Sequence, residues 1–285
     1  MLSAMSADVS RGGAARGRII DACVFEPSLC SSLGLFRSPH DQHSEAEPNE
    51  ARGGEGLLAD AIEAMNLAGV RAALVVLQKE VGDFLRVRAK HSGRLFGWAH
   101  YDSLQPERGL ETVRALCEGH TETFLGVATA FPCFEQDPRL RAFAPLYEYC
   151  IQRGLPVLLR LTGGPRTGAP SRPLAFGVLA SVYPRLRIVC LHDDAGGGVE
   201  MSDLLLRFPN LFLATNFGPG RDDTPDMQRL VRAVGSRKIM FASGRREATS
   251  SYDRGMEALS RLPRWHRANV GWRAAARVFG SRVCE

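Results

Sequence analysis

The 285-residue sequence has no Cys-x-x-Cys pair, no apolar run of the roughly 18 residues that a spanning helix needs, and almost no lysine. Its seven cysteines (23, 30, 117, 133, 150, 190 and 284) are odd in number and irregular in spacing, and several lie inside apolar runs. That pattern excludes a disulfide scaffold and fits reduced thiols in a cytoplasmic protein. Lysine stands only at positions 79, 90 and 238, so the net charge of +5 is carried by arginine. The arginines are scattered along the chain among Asp and Glu, whereas a nucleic-acid binder concentrates them in a stripe. No nucleic-acid or membrane partner is therefore expected. The first 17 residues contain Arg11 and Arg16 but no apolar core, which excludes a secretory signal. They read as a flexible leader, with an arginine-rich transit peptide as the second reading.

With 45% hydrophobic residues the chain can bury a full core. Eight short runs rich in Val, Ile, Leu and Phe fall at 19–25, 71–77, 95–101, 124–130, 156–161, 187–192, 211–216 and 238–243. Near-continuous apolar runs of this length suit parallel strands covered on both faces. Helix-length amphipathic stretches lie between them, among them 57–67, 137–150, 224–234 and 252–262, and a last helix is expected over 265–279. Within 137–150 the apolar residues recur at 140, 143, 146, 147 and 150, and Gly154 follows as a stop. Eight alternations predict an α/β fold, a single (β/α)8 TIM barrel over 18–285 with an extra C-terminal helix. The polar, Pro- and Gly-rich segment 30–56 breaks the repeat and reads as a long loop over the C-terminal mouth, a cover for an active site.

Several phrases occur in a telling order. Ile20-Asp21 opens the first strand and Pro156-Val157 the fifth; Tyr183-Pro184-Arg185-Leu186-Arg187-Ile188-Val189 leads into His192 and Gly196-Gly197. Phe208-Pro209-Asn210-Leu211, Lys238-Ile239-Met240-Phe241-Ala242-Ser243 and Ala275-Ala276-Arg277-Val278-Phe279 follow. From about residue 18 to 280 the chain resembles the amidohydrolase superfamily, specifically its amidohydrolase-related, aminocarboxymuconate-semialdehyde decarboxylase-like hydrolases and decarboxylases. The resemblance implies a divalent metal, usually zinc, held by a His-x-His pair, further histidines and an Asp. In this sequence those positions read Cys23, Phe25, Arg160, His192 and Gly244. Phe and Gly carry no ligand atom, and the permanent cation of Arg160 repels an ion. No metal and no cofactor is therefore expected.

The residues that remain each carry two readings. His192 is a candidate acid/base or a leftover bonded to a loop. Arg160 is a clamp for a substrate carboxylate or phosphate, or the partner of Asp21, Asp193 or Asp194 in an internal salt bridge. His100 and Asp102 end the third strand two residues apart, as an acid/base pair or as surface groups. Cys23 is a nucleophile if the cation of Arg160 lies near it, and otherwise an inert thiol. Asn216 orients a ligand or caps a loop, and Arg245, next to Gly244, is a second anion contact. His40-Asp41-Gln42-His43 reads as a solvated loop, and the Gly-rich 195–198 lacks the Lys-Ser/Thr of a P-loop.

Two functions follow. The first is a metal-independent hydrolase or lyase acting on a small anionic carbonyl or carboxylate substrate, with His192, His100 and Cys23 as catalytic candidates and Arg160, Asn216 and Arg245 binding substrate. The second is a non-catalytic pseudoenzyme that keeps the barrel as a ligand- or partner-binding scaffold. The resemblance also implies a homodimer as one assembly.

Overall fold

Each β-strand is followed by helix, and all eight strands run parallel in the order β1 to β8. The computed structural model describes residues 19–25, 54–77, 81–132, 139–162, 173–191, 198–215, 224–243 and 251–284. The strands are β1 (Ile19–Phe25), β2 (Val70–Leu77), β3 (Leu95–His100), β4 (Phe124–Pro132), β5 (Val157–Thr162), β6 (Ile188–Leu191), β7 (Leu211–Ala214) and β8 (Ile239–Met240). The helices are α1 (Gly54–Ala68), α2 (Val81–Lys90), α3 (Pro106–Gly119), α4 (Arg139–Ala142), α5 (Ala144–Arg153), α6 (Leu174–Val182), α7 (Gly198–Arg207), α8 (Thr224–Val234), α9 (Ser251–Ser260), α10 (Arg264–Ala268) and α11 (Ala274–Phe279). This is the (β/α)8 barrel expected from the alternation. The leader and most of the long loop lie outside the described residues; 54–56 of that loop belong to α1.

Two expected helices differ in detail. The stretch read as one helix over 137–150 is divided at Phe143 into α4 and α5, with Pro145 in the first turn of the second. Proline lacks the N–H that a continuing helix would need there and fits a helix start. Gly154 closes α5 in the left-handed region at φ 64°, as its position suggested. The last helix is interrupted by a π-turn at Asn269–Arg273 between α10 and α11.

Strand alternation divides the apolar residues into two layers. Ile19, Ala73, Val75, Leu77, Phe124, Val127, Val157, Leu159 and Ile188 pack outward under the helices. Ile20, Ala72, Leu74, Val76, Phe96, Trp98, Leu158, Val189, Leu191 and Met240 fill the interior, where Ala274, Ala275, Val278 and Phe279 of α11 join them. Trp98 meets Phe279 edge-on at 5.1 Å. Its ring also occupies the space that a Cβ on Gly126 would need, 2.4 Å away, so β4 passes the indole only because residue 126 is glycine.

The phrases that carry the family resemblance act mainly as struts between neighbouring units. Asn210 donates from Nδ2 to the carbonyls of Tyr183 and Leu186 at 3.1 and 3.0 Å, fixing the turn before β6. Lys238 donates from Nζ to the carbonyls of Leu205 and Phe208 at the end of α7. Arg187 reaches the carbonyl of Val278 at 2.5 Å and that of Gly154.

Candidate active site

In barrels of this class chemistry sits at the C-terminal ends of the strands. Strand β1 reaches that end through a bulge. Asp21 pairs with Ala73 and Val24 with Val75, so three residues of β1 span two of β2. The extra residue breaks the alternation, and both Ala22 and Cys23 belong to the interior layer. A bulge strands backbone polar groups, and three of them have partners here. The carbonyl of Ala22 accepts from Trp98 Nε1 at 2.9 Å, its N–H donates to the carbonyl of Phe241 at 2.9 Å, and the N–H of Cys23 donates to Asp21 Oδ1 at 3.2 Å.

Asp21 is fully buried. Its Oδ1 also accepts the N–H of Ser243 at 2.9 Å; Oδ2 accepts the Ser243 hydroxyl at 2.5 Å and the Tyr252 hydroxyl of α9 at 3.0 Å. Burial pushes this carboxyl above its ordinary value, and the four donors offset that only in part. The Ala22–Phe241 bond and the Asp21–Ser243 bonds join the first strand to the end of the eighth. Beside them Thr215 Oγ1 accepts the N–H of Ala242 at 2.8 Å, tying the end of β7 to that of β8. Sequence reasoning placed Asp21 in the phrase Ile20-Asp21 and among three possible partners for Arg160. The signal for its actual role was a lone carboxylate inside the run Ile19–Phe25, which must find donors wherever the strand is buried.

Of the six candidate residues, Cys23 and His100 have described side chains. Cys23 is fully buried in the interior layer and is not in a disulfide. His100 ends β3 with its backbone paired to Ala128, an interior residue, and shares the strand face of Trp98. Burial holds its imidazole below the ordinary histidine value, and the charge of Asp102 opposes this. Asp102 is turned elsewhere: its Oδ1 accepts the N–H of Leu104 at 2.9 Å, so the two groups do not form a hydrogen-bonded pair among the described residues. Arg160 is described at its backbone, which pairs with Ala130 on one side and Leu191 on the other; Leu191 pairs on with Ala214, and Ala214 with Met240. His192, Asn216 and Arg245 lie outside the described residues, as do His40 to His43 and 195–197.

Among the described residues no three His, Cys, Asp or Glu side chains gather in the manner of a metal centre. The donor set at the five positions that the resemblance assigns to a metal is a poor fit by its chemistry. Phe25 and Gly244 bring no donor atom, Arg160 brings a positive charge, and Cys23 sits among apolar side chains.

Comparison with known proteins agrees with the architecture. No curated protein matches the chain. A dihydroxybenzoic acid decarboxylase from a Polaromonas species, solved with manganese and 2-nitroresorcinol, is 17% identical, with 93% of this chain and 97% of that one covered and a TM-score of 0.64. A 5-carboxyvanillate decarboxylase from Novosphingobium aromaticivorans is 13% identical over 95% of this chain and 99% of its own, with a TM-score of 0.66. A 4-oxalomesaconate hydratase from Rhodopseudomonas palustris is 14% identical over 93% and 96%, with a TM-score of 0.64. Likeness at such identity speaks for the fold alone. The amidohydrolase family model matches residues 39–280, and the chain belongs to that family.

Proposed function

We propose that this chain is a metal-independent lyase or hydrolase acting on a small anionic carboxylate. The observation that carries the reading is the backbone row at the end of the barrel. Arg160 of β5 is paired with Leu191, the last residue of β6, and His192 is the next residue in sequence. A permanent cation thus stands in the C-terminal half of β5, on the side of the barrel where such folds do their chemistry, and an imidazole is the next residue in sequence after β6. A guanidinium is matched to a carboxylate by two parallel hydrogen bonds, which would fix the substrate's orientation.

In the lyase form the bond between the substrate carbon and its carboxylate breaks, carbon dioxide leaves, and the carbon keeps the electron pair and takes a proton from His192. In the hydrolase form His192 takes one proton of a water as its oxygen adds to the carbonyl carbon of an ester or amide beside the anchored carboxylate. The C–O or C–N bond then breaks, and the departing alcohol or amine takes that proton back from His192. His100, held neutral by burial, serves as a second hydrogen-bonding group in the mouth, and Asn216 and Arg245 complete the contacts. The substrates in the names of the structural neighbours, hydroxybenzoates and a carboxyvanillate, support aromatic carboxylates as the first class to try. Family-type metal chemistry is not part of this reading, because the ligand residues it needs are replaced at positions 25, 160 and 244.

The test is calorimetric titration with 2,6-dihydroxybenzoate, together with product analysis. Arg160→Ala should weaken binding by about 2–5 kcal/mol, the cost of removing one partner of a desolvated charge pair. Unchanged affinity in that variant sinks the clamp. The second reading, a ligand-binding scaffold without catalysis, is favoured by Cys23, which is fully buried among apolar side chains. Binding without any product would select it.

A further inference from the structure

Away from the mouth, one surface carries a charge pattern that the proposed chemistry does not use. Between Glu257 and Glu285 the chain has six arginines and His266 but no Asp or Glu. The stretch folds as α10, the π-turn and α11; Trp265, Arg273 and Arg277 are exposed along it, with half-buried Asn269 in the same every-fourth-residue row. The loop before β8 lies alongside. Ser236 Oγ is 2.7 Å from His266 Nδ1 and accepts from Asn269 Nδ2 at 3.0 Å, while Arg277 donates to the carbonyl of Arg237 at 3.2 Å. Arg237, Arg264, Arg273 and Arg277 are all exposed, and none has a carboxylate partner among the described residues.

Trp265 gives this surface its character. It is 65% exposed, yet one ring face is covered by His266 at a centroid distance of 3.6 Å. A large apolar ring left open to water, on a helix whose guanidiniums have no carboxylate partner among the described residues (Arg273 lies over the Trp272 ring at 5.3 Å), has no role in the core. An indole that inserts into lipid would project with several apolar companions. This one is backed by an imidazole, leaving a single flat face open. From Arg264 to Arg277 the helix advances about 20 Å at roughly 1.5 Å per residue, room for several phosphates of one strand.

We propose that this stripe binds single-stranded nucleic acid, with a base stacked on Trp265 and phosphates on Arg264, Arg273, Arg277 and Arg237. The scattered arginines of the sequence argued against such a partner; three of these lie on one helical stretch, and folding brings Arg237 to them. Aromatic platforms combined with cations are the general means of holding a single strand without reading its sequence.

The experiment is fluorescence anisotropy of labelled oligouridine with the full chain, across a salt series, against Trp265→Ala, Trp265→Phe and the double variant Arg273→Ala/Arg277→Ala. Trp265→Ala should weaken binding roughly ten-fold, the scale of one stacking contact, and Trp265→Phe should retain most of it. The double variant should reduce the salt slope by about 1.4, from roughly 0.7 per phosphate contact. All substituted side chains are exposed, so melting temperatures serve as the folding control. Three results would overturn the proposal: no saturable binding, Trp265→Ala binding as well as the parent, or capture by phosphatidylserine vesicles in place of oligouridine.

Discussion

Asp21 and Ser243, 222 residues apart in sequence, are joined twice: through the Ser243 N–H at 2.9 Å and its hydroxyl at 2.5 Å. The carboxylate at the start of the barrel thereby fixes the residue next to Gly244, where the family resemblance expects a metal-binding Asp.

Removing that carboxylate should be costly. Asp21→Ala leaves two backbone N–H groups and two hydroxyls facing a cavity, and at about 1–3 kcal/mol for each buried unsatisfied group the loss should exceed 3 kcal/mol. Asp21→Asn keeps one acceptor oxygen for both backbone donors and should cost much less. The sign of the pH effect follows from the raised pKa. The folded state holds a proton on Asp21 above 3.8 that the unfolded chain has released, so this stabilisation is full below 3.8 and fades as pH rises through the folded value. Denaturant melts from pH 3 upward should lose that component in Asp21→Asn. An unchanged profile would show that Asp21 titrates normally.

Gly126 and Trp98 give a packing test. A Cβ at residue 126 would lie 2.4 Å from the Trp98 ring and 2.9 Å from the carbonyl oxygen of Pro156, which is backbone and cannot swing away. Gly126→Ala should destabilise by about 1–3 kcal/mol or more through overpacking. Trp98→Phe should relieve that clash but orphan the carbonyl of Ala22. The double variant should therefore be less unstable than the sum of the singles, and strict additivity in a double-mutant cycle would refute the contact.

His100 should titrate below the usual 6.5, because burial disfavours its charged form. Between 6.5 and its folded value the unfolded chain binds the proton more readily, so stability should fall as pH drops through that window. His100→Gln should flatten this slope. Imidazole shifts followed by NMR provide the direct check; a midpoint at or above 6.5 would remove the argument that His100 is a neutral group in the mouth.

Metal removal tests the reading of the replaced ligands. Elemental analysis of the purified protein should find less than stoichiometric zinc or manganese, and dialysis against chelator should leave the melting temperature and anion binding unchanged. A structural or catalytic ion would contribute several kcal/mol and announce itself in both measurements. A stoichiometric ion would require ligands other than Phe25, Arg160 and Gly244.

The barrel was legible in the sequence because each unit announces itself locally. Eight apolar runs bounded by polar turns fix parallel strands, and i, i+3, i+4 spacing fixes helices, with no knowledge of distant contacts. Expected strand ends ran long at β7 and β8, because the chain hands its backbone to other partners there. Ala242 donates to Thr215 Oγ1 and Ser243 to Asp21 Oδ1, side-chain acceptors in place of ladder carbonyls, and Phe241 donates to the carbonyl of Val270 in the π-turn. The same limit applied to the site. Reading residues two apart as one face holds for His100 and Trp98, but the bulge of β1 breaks it between Asp21 and Cys23. No local pattern marks a bulge whose orphaned groups are satisfied by Trp98 and Asp21.

The sequence by itself determined the eight-fold repeat, the family, and which side chains replace the expected ligands, since these depend on residue identity and local period. The tertiary structure alone decided that Asp21 closes the barrel, that Cys23 is sealed from solvent, and that Arg237 comes to lie beside Arg277. Each is a matter of which distant groups satisfy a buried charge, exclude water or come to lie side by side, and such long-range pairings have no signature along the chain.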